Sequence, residues 1–319
     1  MIYAGVDIGG TGIKVGLVNE QGQILRKKTI PTGAERPADE IMADMNNLIK
    51  ELAAEEGMPV SELGGVGVGI PGMVNPEKGE LIYACNLPTF HNTPIGQAVK
   101  DALGLPMYLD NDANIAALGE SMFGAGNGQT RCSVMITLGT GVGGGVIING
   151  RIFAGAYHGG TELGHLVIVE NGEQCSCGRK GCWEAYSSVT GLIRDARRAA
   201  EADPASLMWK LCENDLNQLN GKLISEAVDA GDEAATQVMD DYIQHLDIGL
   251  GNIYNVFQPE VLILGGGLSG RGEKLLNPLL KLLQPEIYGK DMSKVDIRIA
   301  TLGNDAGVIG AACLAMQGK

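Results

Sequence analysis

Residues 2–19 read Ile2-Tyr3-Ala4-Gly5-Val6-Asp7-Ile8-Gly9-Gly10-Thr11-Gly12-Ile13-Lys14-Val15-Gly16-Leu17-Val18-Asn19. Two apolar runs, Ile2 to Ile8 and Ile13 to Asn19, stand either side of the turn Gly9-Gly10-Thr11-Gly12, so the stretch predicts a strand–turn–strand unit. A turn of this composition exposes successive backbone N–H groups with no Cβ in the way, which suits oxyanions, and Thr11 adds a hydroxyl donor. Asp7 closes the first run and places a carboxylate where a phosphate-bound Mg²⁺ could sit, directly or through water.

The same unit recurs. Ser133 to Leu138 and Val142 to Ile148 flank Gly139-Thr140-Gly141. Thr11-Gly12-Ile13 and Gly16-Leu17-Val18 match Thr140-Gly141-Val142 and Gly145-Val146-Ile147 at one fixed offset, which reads as an internal duplication. A buried-type run, Val261 to Leu264, ends in Gly265-Gly266-Gly267. Each turn taken alone reads equally well as a plain hairpin, and there is no G-x-x-x-x-G-K-[ST] sequence, which excludes a P-loop. Together, Asp7-Ile8-Gly9-Gly10-Thr11, Leu138-Gly139-Thr140-Gly141 and Ile263-Leu264-Gly265-Gly266-Gly267 resemble the first phosphate, second phosphate and adenosine motifs of the sugar kinase, chaperone and actin superfamily. The resemblance implies an α/β fold of two actin-like (ribonuclease H-like) lobes, each donating one hairpin to ATP in an inter-domain cleft.

The rest of the chain agrees with a two-domain enzyme. Its 319 residues are 45% hydrophobic and 19% charged, enough for two packed cores, and its 48 glycines cluster at turns instead of recurring with a period. A formal net charge of −14 argues against nucleic acid and anionic membranes as partners, but local amides and a metal ion can still hold an anionic ligand in a cleft. No apolar run is long enough to span a bilayer, and the strand pattern starts at Ile2, so a cytoplasmic location is expected. Further strands are predicted at Ile24–Ile30, Val66–Ile70, Met107–Asp110 and Val295–Ile299. Helices are predicted at Pro37–Glu56, Pro94–Leu103, Ala113–Phe123 (with Asp112 as an N-cap type), Ser188–Ala202, Leu223–Ala230, Asp232–Phe257 and Ala306–Met316.

Of seven cysteines, three lie in Cys175-x-Cys177-Gly-x-x-Gly-Cys182, with His165 upstream in Glu162-Leu163-Gly164-His165. Three thiolates and one imidazole satisfy a closed tetrahedral Zn²⁺ site of the structural kind, and a cytosolic setting favours metal over disulfides. For phosphoryl transfer to an alcohol, a carboxylate must accept the hydroxyl proton. Asp7, Asp110 and Asp112 are the candidates, the last two in Asp110-Asn111-Asp112-Ala113-Asn114, where a strand end meets a helix start.

The stretch from Glu162 to His165, followed by Cys175-Ser176-Cys177-Gly178-Arg179-Lys180-Gly181-Cys182-Trp183-Glu184, is similar to the signature of the ROK family (repressors, open reading frames, kinases). The likeness runs from Asp7 to the terminal helix. It implies that the Zn²⁺ is structural and positions a sugar-binding loop. It also implies that Glu162, His165 and Glu184 contact sugar hydroxyls, with His165 a zinc ligand through its other nitrogen. Asp112 is then the catalytic base and Asn111 and Asn86 are sugar ligands; Gly72, after Pro71, either lets the backbone approach the sugar or simply turns the chain. ATP would be held by Asp7, Gly9, Gly10, Thr11, Gly139, Thr140, Gly141, Gly265, Gly266 and Gly267, with Mg²⁺.

The expected lobes are residues 1–112 with 302–319, and residues 113–301 with the zinc loop. The expected reaction is ATP-dependent phosphorylation of a hexose at its 6-hydroxyl, glucose first, by a homodimer or homotetramer. Phe90-His91 stands where glucokinase-like members often carry Trp, which keeps N-acetylglucosamine, N-acetylmannosamine, fructose and allose open as substrates. The other rivals are a chaperone or filament ATPase of the same superfamily and a sugar-responsive repressor. The repressors carry a helix-turn-helix domain before the first phosphate strand, which this sequence leaves no room for.

Overall fold

The computed structural model describes residues 1–318. The chain opens with strands β1 (Ile2–Ile8), β2 (Gly12–Asn19) and β3 (Ile24–Pro31), then helix α1 (Ala38–Glu55) and β4 (Val66–Ile70). Next come β5 (Met73–Asn75), β6 (Glu80–Tyr83), β7 (His91–Thr93), α2 (Ile95–Leu103), β8 (Met107–Asn111) and α3 (Asp112–Phe123). β9 (Cys132–Leu138), β10 (Val142–Ile148) and β11 (Arg151–Ile152) precede α4 (Glu184–Ser187), α5 (Val189–Ala202), α6 (Leu207–Leu211), α7 (Gly221–Asp229) and α8 (Glu233–Phe257). The last elements are β12 (Val261–Gly265), α9 (Glu273–Glu286), β13 (Ile297–Ile299) and α10 (Ala306–Gln317).

Two five-stranded sheets share one plan: β3-β2-β1-β4-β8 and β11-β10-β9-β12-β13. In the first, β1 is antiparallel to β2 and parallel to β4, and β4 is parallel to β8. In the second, β10 is antiparallel to β11 and β12 is parallel to β13. The repeated turn motif is therefore accompanied by a repeated strand order. The chain divides into two compact units: Met1–Met135, Gly145–Thr161 and the segment from Ala300 onward form unit 1, and Ile136–Gly144 with Glu162–Ile299 form unit 2.

In unit 1, Val6, Ile8, Ile13 and Val15 pack with Ile41, Met45, Ile49 and Leu52 of α1 in one core. The spacing of those α1 residues makes a single apolar face, and Asp39 and Glu40 sit in the first turn where the helix dipole favours acids. α10 is buried almost all round and lies directly on backbone. A Cβ at Gly5 would stand 2.0 Å from Val308 O, one at Gly67 1.7 Å from Ala311 O, and one at Gly119 2.5 Å from Ala306 O. In unit 2, the five residues of β12 are buried, and Trp183 is wholly enclosed against Gly249 of α8.

Several elements differ from expectation. The N-cap of α3 is Asn111, not Asp112: the Asn111 backbone is extended and its side chain accepts from Ala113 N and Asn114 N, while Asp112 is already helical. The three-stranded sheet β5-β6-β7 escaped the sequence pattern because its strands have only three or four residues. α9 escaped because Pro278 and Pro285 lie inside it and read as breakers, although Leu275, Leu279 and Leu283 form a buried i, i+4 stripe. α3 packs on α10 through Gly119 and Gly310, which draws residues 113–135 into unit 1.

The backbone contact at α10 makes a direct prediction. Gly67→Ala must push α10 off β4, and unfolding in urea should show a loss of at least about 1–3 kcal/mol. An unchanged midpoint would contradict the contact.

Candidate functional site

Unit 1 gathers its predicted site residues at one sheet edge. The register places Asp7 beside Gly69 and Gly69 beside Asp110, so the C-terminal ends of the parallel strands β1, β4 and β8 are level. That edge is where open α/β sheets bind ligands. Asp7, next to last in β1, forms a 2.9 Å ion pair with Lys14 across the hairpin. The first turn is closed by Gly9 N donating to Gly12 O at 2.9 Å. Its carbonyls are tied back by Thr32, whose hydroxyl donates to Gly9 O at 2.6 Å and whose N–H donates to Thr11 O at 3.2 Å. Asn86 lies over the turn: a Cβ at Gly10 would stand 3.4 Å from Asn86 O and 3.5 Å from its Nδ2.

At the end of β8 the three neighbouring polar residues separate by environment. Asp110 is buried; its Oδ1 accepts from Asn111 N at 2.7 Å and from Asn114 Nδ2 at 2.9 Å. Burial raises its carboxyl above the usual carboxylate range, with the two hydrogen bonds and the nearby His158 opposing. It is a structural acid. Asn111 spends Oδ1 on the cap of α3 and donates Nδ2 to Gly72 O at 3.3 Å. Asp112, one residue on and half-buried, accepts from Ala113 N at 2.9 Å through Oδ1. Gly72 has φ +101°, and a Cβ there would fall 2.2 Å from Tyr83 O, so the turn itself requires glycine.

Unit 2 holds the second and third motifs and the cysteine cluster. The turn Gly139–Gly141 is tied back as the first is: Val189 N donates to Gly139 O at 2.8 Å, and Thr190 Oγ1 donates to Thr140 O at 2.7 Å. Gly266 has φ +86° and passes so close to the end of β9 that a Cβ would stand 2.4 Å from Leu138 O. Beside Gly267, a cavity of about 620 Å³ is lined by Val189, Gly221, Lys222, Ser225 and Arg271 among others. Asp229 on its rim pairs with both Arg271 and Lys274.

The ligand atoms of His165, Cys175, Cys177 and Cys182 all lie within 4.8 Å of one another. Cys175 Sγ is 3.6 Å from His165 Nδ1, and Cys177 Sγ is 3.6 Å from Cys182 Sγ. A tetrahedral zinc with Zn–S bonds of about 2.3 Å has S–S edges of about 3.8 Å, so the four donors are spaced to close on one ion. Burial pushes the Cys182 thiol up to about 12, whereas the Arg179 backbone N–H holds the Cys177 thiol below its usual value. The loop is anchored by Trp183 Nε1, which donates to His245 O at 3.0 Å, and by Glu173 N, which donates to Tyr186 Oη at 2.7 Å.

Glu162 is exposed at the start of the turn carrying His165. Glu184 is half-buried: Oε2 accepts from Val142 N at 3.1 Å and Oε1 accepts from Ser176 Oγ at 3.1 Å. Lys14, Thr32, Ser176, Val189 and Thr190 had no place among the residues singled out from sequence. Only the alternation of β2, which puts Lys14 opposite Asp7, offered a signal for any of them.

The tie that Thr32 makes to the first turn can be tested by its contribution to stability. Thr32→Val should leave the partly buried Gly9 carbonyl without its hydroxyl partner and lower the unfolding free energy by about 1–3 kcal/mol, measured in urea.

A family model described as the ROK family matches residues 3–318. A glucokinase of Streptomyces coelicolor is 38% identical over 318 residues, covering 98% of this chain and 97% of the relative. A glucokinase of Thermotoga maritima is 36% identical over 310 residues, covering 97% and 96%. Among solved structures, a ROK family glucokinase from Streptomyces griseus in complex with glucose and AMPPNP is 35% identical, with a TM-score of 0.79 and coverage of 99% of this chain and 100% of that one.

Proposed function

The chain belongs to the ROK family, and from that premise we propose that it is a glucokinase, transferring the γ-phosphoryl group of ATP to the 6-hydroxyl of glucose. The observation that carries the reading is the level edge of β1, β4 and β8, which brings the first phosphate turn and Asp112 out of the same side of one sheet. Relatives at 36–38% identity over nearly their whole length carry the glucokinase name, which supports glucose over the other hexoses.

Asp112 is assigned as the base on the likeness of Asn111-Asp112 to the Asn-Asp dipeptide of ROK kinases; Asp110, by contrast, is buried and hydrogen-bonded to Asn111 and Asn114, and Asp7 pairs with Lys14. The Asp112 carboxylate accepts the proton of the glucose 6-hydroxyl as O6 forms a bond to the γ-phosphorus; the bond from that phosphorus to the β–γ bridging oxygen breaks, and ADP departs. Asn86, Asn111, Glu162, His165 and Glu184 are assigned to the sugar hydroxyls. With Nδ1 of His165 turned to Cys175, Nε2 is the nitrogen left for the sugar. The amides and hydroxyls of Gly9–Thr11 and Gly139–Gly141 receive phosphate oxygens, and the cavity beside Gly267 receives the adenosine. Mg²⁺ on the nucleotide would neutralise phosphate charge; Asp7 is the carboxylate assigned to hold it, with Lys14 alongside as a cation.

Asp112→Asn keeps size and polarity but removes the proton acceptor. Turnover should fall by roughly 10²–10⁴-fold while calorimetric glucose affinity stays within a few-fold. A variant retaining most of its turnover would move the base elsewhere. A coupled ADP-release assay across glucose, mannose, fructose, N-acetylglucosamine and N-acetylmannosamine tests the substrate: a higher kcat/KM on an N-acetylhexosamine would reassign it.

The cysteine cluster is assigned as a structural Zn²⁺ site held by His165, Cys175, Cys177 and Cys182. Elemental analysis of protein prepared without chelator should find one zinc per chain, and Cys177→Ala should remove most of it and lower the thermal midpoint. Zinc-free native protein would sink the assignment.

A further inference from the structure

Val142, the first residue of β10 after the second phosphate turn, is gripped by both segments that carry the metal ligands. Its N–H donates to Glu184 Oε2 at 3.1 Å. Its carbonyl oxygen faces Gly164, neighbour of His165, so closely that a Cβ there would stand 2.2 Å away. The other oxygen of Glu184 accepts from Ser176 Oγ at 3.1 Å and lies 3.7 Å from Cys175 Sγ, inside the cysteine loop. Nothing separates the carboxylate from the turn: a Cβ at Gly141 would be 2.4 Å from Glu184 Oε2.

Electrostatics makes this placement informative. A carboxylate in contact with a phosphate-binding turn repels the phosphates, so by charge alone it weakens nucleotide binding. A Gly-Thr-Gly turn, however, has wide backbone freedom and presents its amides in one direction only when held. The carbonyls of Gly139 and Thr140 are held by α5, and Glu184 holds the following peptide by a charge-assisted bond. Binding to a turn already in its working orientation avoids the ordering cost.

We propose that Glu184, besides any hexose contact, is a positioning residue for the nucleotide: it locks the second phosphate turn to the cysteine loop, so that the state of that loop sets affinity for nucleotide phosphates with no sugar present. The inference rests on the reading of Gly139–Gly141 as a phosphate turn.

The test is calorimetric binding of Mg·AMPPNP without hexose to wild type, Glu184→Gln and Ser176→Ala, each checked for zinc content and near-ultraviolet circular dichroism. Gln removes the negative charge and one of the two acceptor oxygens together. If Glu184 acts only through its charge or only on the hexose, Gln tightens nucleotide binding or leaves it unchanged, and the proposal falls. If it positions the turn, Gln weakens binding roughly 10-fold. Ser176→Ala, which frees only the far oxygen, should weaken it less but in the same direction. Stripping the metal from wild type with a chelator should weaken sugar-free AMPPNP binding as well; unchanged affinity there would also overturn the proposal. Wild type that fails to bind AMPPNP at all would remove the phosphate-turn reading itself, a separate outcome from a wild type that binds and a Gln variant that binds as well.

Discussion

The contact on which unit 1 depends is backbone against backbone: α10 lies on β1, β4 and α3 with no side chain between them at Gly5, Gly67 and Gly119. Close approach of this kind leaves no slack, because interiors are packed to crystal density and any added atom must displace a whole element. Its consequence reaches the site. The start of α10 also presses on Asp7, where a Cβ at Gly307 would stand 2.8 Å from the carboxylate carbon. The final residues of the chain thus help set the carboxylate at the end of its first strand. Deep burial of the small residues of α10 explains why so apolar a helix carries so few large side chains.

A second constraint appears once in each unit. A glycine-rich turn can offer its amides to a phosphate only if its carbonyls are turned away and satisfied. Thr32 does this for the first turn with its hydroxyl and N–H; Val189 and Thr190 do it for the second. Different residues, from different elements, reach the same arrangement, which points to the requirement of the turn and not to copied sequence. Fixed dipoles of this kind are what would let a chain of formal charge −14 hold an anionic nucleotide.

The polar residues at the end of β8 show how environment divides similar groups. Asp110, Asn111 and Asp112 are consecutive, yet one is buried with its acidity suppressed, one caps a helix and ties down Gly72, and one stands at the first helical position. Sequence, read residue by residue, left Asp110 and Asp112 both open as the base, and only its likeness to the ROK family singled out Asp112 as the base and Asn111 as a sugar ligand. It also gave the cap to Asp112, since Asp and Asn serve equally well there and the choice turns on which residue has the extended backbone.

What the sequence determined by itself was everything written in local spacing: the two matched strand–turn–strand units, Gly265-Gly266-Gly267, the apolar face of α1, and Cys175, Cys177 and Cys182 within one loop. Tertiary structure alone decided that Thr32 closes the first turn and that Glu184 reaches Val142. The physical reason is sequence distance. Val142 and Glu184 are 42 residues apart, and Thr32 and Gly9 are 23 apart. A pair so separated leaves no periodicity to read; only the packing of the elements between them brings donor and acceptor within 3 Å or so of each other.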